Sequence, residues 1–164
     1  MLFCIFYLSS CDNVYHKDVL KNTIDDKNES YDLICSSDEI GSFQGEGFSV
    51  FVYQLNSKTI NDFLKKDMFI YPKKNKYRKD WFVLNWKKTP IKEDDLSLYK
   101  YSISKYLAED NECLKEIISA NLVNIPGNYY SSIYYDDNKQ EPLSVDFYIL
   151  DAKTNKLYYI SNKT

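Results

Sequence analysis

The chain reads as an α+β domain: a largely antiparallel sheet of about five or six strands with about three helices packed on it. Three observations predict this. Candidate strands come in groups, two before the first helix and three after the last, rather than in strict strand-helix alternation. The last two strands are joined only by "AKTN", a hairpin signal. The stretch "FSVFVYQL" (48–55) is β-branched, aromatic and apolar on both faces, which suits a central strand covered on both sides.

The elements follow in order. "YDLIC" (31–35) opens the sheet. "SSDEIGSFQGEG" (36–47) is a turn-rich connection. Its glycines superficially suggest a phosphate loop, but such loops follow a strand and open a helix, whereas this one precedes a strand. After "FSVFVYQL", Asn56 or Ser57 caps a helix whose apolar stripe is Ile60, Phe63, Leu64 and Met68. "YPKKNKYRKD" (71–80) is a basic loop. "WFVLNWKKT" (81–89) is a strand whose period places Phe82, Leu84 and Trp86 on the core face and Trp81, Val83 and Asn85 on the other.

Glu93, Asp94 and Asp95 open the next helix, in the acidic first turn that the helix dipole favours. Leu96, Tyr99, Ile103, Tyr106 and Leu107 form its apolar face. Another helix begins near Asp110, with Cys113, Leu114, Ile117, Ile118 and Asn121 on one stripe. "PG" at 126–127 breaks the chain. Strands over 128–137, 144–151 and 156–162 complete the domain. The coarse order is ββαβααβββ, with neither an internal repeat nor a second domain.

Composition narrows the function classes. A net charge of −3 gives no overall footprint for nucleic acid. The excess of Lys, Asn, Tyr and Ile is a habit of AT-rich coding, and tyrosine suits strands and half-buried surfaces. The chain has one histidine, His16, in a polar stretch outside the expected domain. A Ser-His-Asp or Cys-His arrangement therefore has no base inside it, and no zinc site of spaced His and Cys can be built. No phosphate-loop, GxSxG or HExxH motif is present. No cofactor and no metal are expected, and no catalytic residue is assigned.

Paired carboxylates need no histidine. The candidates are Glu46 between two glycines, the run Glu93, Asp94 and Asp95, and the pair Asp136 and Asp137. Each has a plainer reading: a solvated loop, a helix start, and the "DDNKQEP" turn. Cys35 and Cys113 are an even pair that permits one disulfide between the first strand and the second long helix. Two buried small hydrophobes are an equal reading. The strongest charge feature is the run Lys73, Lys74, Lys76, Arg78, Lys79, Lys87, Lys88 and Lys92, interrupted only by Asp80. A solvated edge is its usual meaning; anionic headgroups or an acidic partner are the functional ones. Tyr77, Arg78 and Trp81 are the partner-binding candidates, since interface energy concentrates in aromatic and Arg anchors.

The chain opens "MLFCIFYLSSCDN". Residues 2–8 are too short to span a bilayer and have the length of a short signal-peptide apolar core. The alternative from the residues alone is a core strand with Cys11 an ordinary buried cysteine. The four residues Leu8, Ser9, Ser10 and Cys11 resemble the lipobox of bacterial lipoproteins: a branched apolar residue, two small ones, then cysteine. No Lys or Arg precedes Lys17, which departs from the basic start of a signal peptide and leaves two explanations: a true start upstream, with Met1 internal to a longer signal, or the core strand. The resemblance implies diacylglyceryl attachment to the Cys11 sulfur, cleavage just before it, and a place in a bacterial cell envelope, on the inner or outer membrane.

The expected organisation is then a signal peptide at 1–10, a lipid-anchored flexible tether at 11–30 and the domain at 31–164. The tether's only apolar points are Val14, Tyr15, Val19, Leu20 and Ile24, too few to order it. Its reach would be roughly 25 Å. A single helical turn over 19–24 docking on the domain is the alternative. The expected partners are the membrane, through the anchor, and a protein; nucleic acid is not expected, and the oligomeric state is not legible. The expected function is non-catalytic binding, in the form of an immunity or inhibitor protein. The rival is an envelope enzyme using paired carboxylates, with glycans as a candidate substrate class.

Overall fold

A computed structural model describes residues 8–26, 31–38, 47–66, 68–74, 78–104, 111–137 and 142–163. Among them are four α-helices, α1 (Leu8–Ile24), α2 (Ser57–Leu64), α3 (Glu93–Ser104) and α4 (Glu112–Ser119), and six strands. The strands are β1 (Tyr31–Asp38), β2 (Gly47–Leu55), β3 (Phe82–Lys88), β4 (Tyr129–Tyr135), β5 (Ser144–Asp151) and β6 (Lys156–Lys163). They form one sheet in the order β1-β2-β6-β5-β4-β3, antiparallel at every pairing. The fold is α+β, with four helices where about three were expected.

The sheet is covered on both faces, as the sequence of β2 demands. Phe48, Val50 and Val52 of β2 point to one face, where Leu98, Tyr99 and Ile103 of α3 and Leu114 and Ile117 of α4 pack. Phe51, Tyr53 and Leu55 point to the other, against Leu20 and Ile24 of α1 and Ile60 and Phe63 of α2. Burial of both faces explains why these strands read as continuous apolar runs. The two-residue period sorts β5 in the same way, with Val145, Phe147 and Ile149 on the α3 face and Tyr148 and Leu150 on the α1 face.

Local chemistry sets the boundaries. Asn56 caps α2 by accepting from Thr59 N at 2.7 Å, and Asn111 caps α4 by accepting from Leu114 N at 3.0 Å. Asn121 follows α4 at a φ of 50°, a left-handed position that asparagine tolerates. The β5–β6 hairpin is held by Asp151, whose carboxylate accepts from Lys153 N, Thr154 N and Thr154 Oγ1. Asn155 supplies the positive φ, 58°, that this turn requires.

Two expectations are corrected. Residues 11–30 are not an extended flexible tether through their described part: α1 runs to Ile24 and lies on the sheet. Leu20 and Ile24 are each 1% exposed, and Thr23 and Asp26 are buried beside them. The physical reason is spacing. His16, Leu20 and Ile24 recur every four residues, so few apolar groups suffice to make one sealed stripe. In β3, Phe82, Leu84 and Trp86 do not share the core face. Leu84 pairs with Ser132 but Lys87 pairs with Tyr130, so β3 carries one extra residue there. Trp86 is buried on the α1 face, Leu84 packs on the α3 face, and Phe82 is half exposed. Ser131 Oγ donates to the Leu84 carbonyl at 2.7 Å beside the bulge.

Candidate functional site

A concavity that gathers charged and aromatic side chains lies between α1 and the sheet. Its volume is about 150 Å³. The wall is one stripe of α1, Tyr15, Asp18, Val19, Asn22 and Thr23, spaced as neighbours on a helix face. Its floor is Ile133, Asp146, Tyr148 and Tyr159 from β4, β5 and β6; Lys73 and Arg78 enter from the loop before β3. The loop is pinned to α1 by Lys73 N donating to the Asn22 carbonyl at 2.8 Å. α1 is in turn held to the sheet by Trp86 Nε1, which donates to the Thr23 carbonyl at 3.0 Å.

At the centre are Arg78 and Asp146. Arg78 does not project from the basic loop into solvent. It turns inward, with its side chain only 17% exposed, and ion-pairs through Nη1 with Asp146 Oδ2. The Asp146 side chain is 1% exposed, and its Oδ1 accepts from Ser161 Oγ at 2.7 Å. Burial pulls the Arg78 guanidinium down, and the Asp146 carboxylate together with Tyr159 and Tyr148 more than reverses it, leaving the group firmly charged. The guanidinium carbon lies 4.5 Å from the ring centroid of Trp81, a cation–π contact.

Aromatic groups surround this pair. Tyr148 and Tyr159 stack at 5.1 Å between centroids, Phe51 stacks on Tyr159 at 5.8 Å, and the Tyr15 hydroxyl donates to that of Tyr159 at 3.2 Å. Burial raises the Tyr148 and Tyr159 hydroxyls well above the ordinary tyrosine range, with the Asp146 charge adding to it. Both therefore stay neutral at physiological pH. His16 lies within the domain, correcting its placement in a tether. Its Nδ1 is 2.8 Å from the Tyr53 hydroxyl, and its ring packs edge-on against Phe51 at 5.0 Å.

The other candidates separate. Arg78 and Trp81 are brought together, while Tyr77 and Glu46 lie outside the described residues. Cys11 falls within α1, and its side chain is likewise outside them. Cys35 and Cys113 are joined in a disulfide with Cα atoms 5.8 Å apart, tying edge strand β1 to α4. Glu93 and Asp94 are exposed at the start of α3. Asp95 turns inward and accepts from Lys87 Nζ at 2.7 Å and Tyr130 Oη at 2.7 Å. Burial, followed by that contact, pushes Tyr130 up to about 12. Asp136 and Asp137 follow the end of β4, half-buried.

Sequence reading missed Asp146 altogether, because a single acid inside the apolar run "SVDFYIL" looks like an ordinary strand position. The one available signal was a charge on a strand buried on both faces, which requires a partner. Among the described residues, no three His, Cys, Asp or Glu side chains gather as metal ligands, and no helix is long and apolar enough to cross a membrane. No family model, curated protein or solved structure matches the chain.

Proposed function

We propose that the chain is a lipid-anchored bacterial envelope protein whose domain binds a protein partner without catalysis, in the manner of an immunity or inhibitor protein. The observation that carries the non-catalytic part is where the buried ionisable groups point. Asp146 is held by Arg78 and Ser161, Asp95 by Lys87 and Tyr130, and His16 by Tyr53. Each works as a latch between elements. A carboxylate enzyme instead needs two acids facing one another across a cleft. The disulfide between Cys35 and Cys113 supports an oxidising compartment. The lipobox-like residues ending at Cys11 support the anchor. With α1 docked from His16 onward, an anchor at Cys11 would hold the domain close to the membrane surface.

Two experiments test this. Fatty-acid probe labelling of the protein expressed with its native upstream region should mark wild type and not Cys11→Ala. Equal labelling, or a fully soluble wild type, removes the anchor. Crosslinking in the native envelope, followed by reconstitution with the purified partner, should give a stoichiometric complex. Turnover of an envelope substrate that is lost on substituting one carboxylate, with binding intact, would replace this reading by the enzyme.

A further inference from the structure

We propose that the pocket beside α1 is a carboxylate subsite in which Arg78 receives one Asp or Glu side chain of the protein partner. This rests on the binding reading above and specifies what the partner must present. Arg78 carries five N–H donors in a planar fork. Among the described residues its one hydrogen bond is from Nη1 to Asp146. Nε and Nη2 therefore remain for a second, bidentate acceptor, the geometry that suits guanidinium and carboxylate.

Asp146 is the positioning residue. With Oδ1 fixed by Ser161 and Oδ2 on Arg78, it holds the guanidinium at one place and in one orientation, and stacking on Trp81 restricts the plane. The ordering cost that an exposed arginine would meet on binding is thus already met in the free protein. The neutral hydroxyls of Tyr148 and Tyr159 line the floor beside Arg78, and their stacked rings make that floor largely apolar. The low exposure of the Arg78 side chain strengthens a charge-assisted hydrogen bond to it.

Charge selects a carboxylate over a phosphate. Arg78 and Asp146 cancel, and Lys73 at the rim is matched by Asp18. In a lining whose charges balance, attraction and repulsion scale together, but a dianion loses far more hydration than a monoanion on entering, so the monoanion is favoured. A volume of about 150 Å³ suits a single side chain. Lys74 and Lys79, in the same loop as Arg78, are exposed, a local positive field that favours encounter with an acidic surface.

Arg78 is the sole arginine of the chain, so its Nε–Hε group gives a single arginine signal in the NMR spectrum of uniformly ¹⁵N-labelled protein. The probes are monomethyl glutarate, inorganic phosphate and sodium chloride, titrated at constant ionic strength. The expected result is a saturable shift of the Arg78 signal with monomethyl glutarate, half-saturation about tenfold higher with phosphate, and no saturation with chloride. In Arg78→Lys, the backbone signals of Thr23, Tyr148 and Tyr159 should keep folded dispersion and lose the carboxylate response. The wild-type titration reads the site directly, so it decides the matter even if that variant does not fold. Tighter binding of phosphate, or no saturable response to monomethyl glutarate, overturns the subsite. If a reconstituted partner binds wild type and Arg78→Lys equally, the subsite falls and the binding reading stands.

Discussion

Leu84 and Trp86, two residues apart on β3, face opposite sides of the sheet. The extra residue between the pairings of Leu84 with Ser132 and of Lys87 with Tyr130 reverses the alternation midway along the strand. Trp86 therefore reaches the α1 face, packs edge-on against Phe63 at 5.6 Å and donates to Thr23 of α1. Trp86→Ala should lower stability by about 3–5 kcal/mol. Trp81→Ala, removing a half-buried ring, should cost far less. Trp86→Phe keeps a ring but leaves the Thr23 carbonyl without its donor, at about 1–2 kcal/mol. Urea midpoints of the three variants check this; equal shifts for the two alanine variants would show that the bulge is misplaced.

The docked α1 makes a second prediction. Leu20→Ala and Ile24→Ala should each destabilise the whole domain by about 2–5 kcal/mol, because each side chain is 1% exposed. A tether would make both changes neutral. Thermal unfolding of the two variants, read by near-ultraviolet circular dichroism, separates the outcomes.

A third prediction concerns the disulfide. It closes a separation of 78 residues between β1 and α4. Removing a crosslink over such a loop costs about 2–5 kcal/mol on the chain-entropy account. Cys113→Ala should therefore shift the denaturation midpoint down by that amount, and reduction of wild type should do the same. No shift on reduction would mean that the two thiols are free in solution.

Asp146→Asn should be among the most damaging single changes in the strands. It leaves the mostly buried Arg78 guanidinium without its counter-charge, a loss of about 3–5 kcal/mol for such pairs. Arg78→Met in the Asp146→Asn background should recover part of it, since both charges are then gone. A double-mutant cycle measures the coupling; additive losses would show that the two side chains do not interact.

Alkaline pH should unfold the domain steeply. The tyrosine hydroxyl titrates near 10.0 in the unfolded chain, whereas burial raises Tyr53, Tyr148 and Tyr159 above it. Above about pH 10 the unfolded state releases these protons and the folded state keeps them. The folded state then binds more protons, so stability falls as pH rises, by about 1.4 kcal/mol per pH unit for each such group. Below pH 10 the contribution is fully present and flat. Phenolate absorbance from these buried groups should appear together with the loss of circular dichroism. Smooth ionisation of every tyrosine before unfolding would show that the cluster is open to solvent.

The sequence by itself determined the fold class, the central β2 covered on both faces, the α2 cap at Asn56, the acidic opening of α3 and the β5–β6 hairpin. All of these rest on interactions between residues close in the chain, or on a period of two or about 3.6, so they are written locally. The tertiary structure decided the rest. The bulge in β3 exists only relative to β4, and α1 is ordered only because the sheet offers its few apolar groups a complementary face. Arg78 stands out in a run of lysines, but nothing nearby marks what it pairs with. Its partner Asp146 lies 68 residues away, and only the folding of β5 beneath the loop brings the two charges together, out of water.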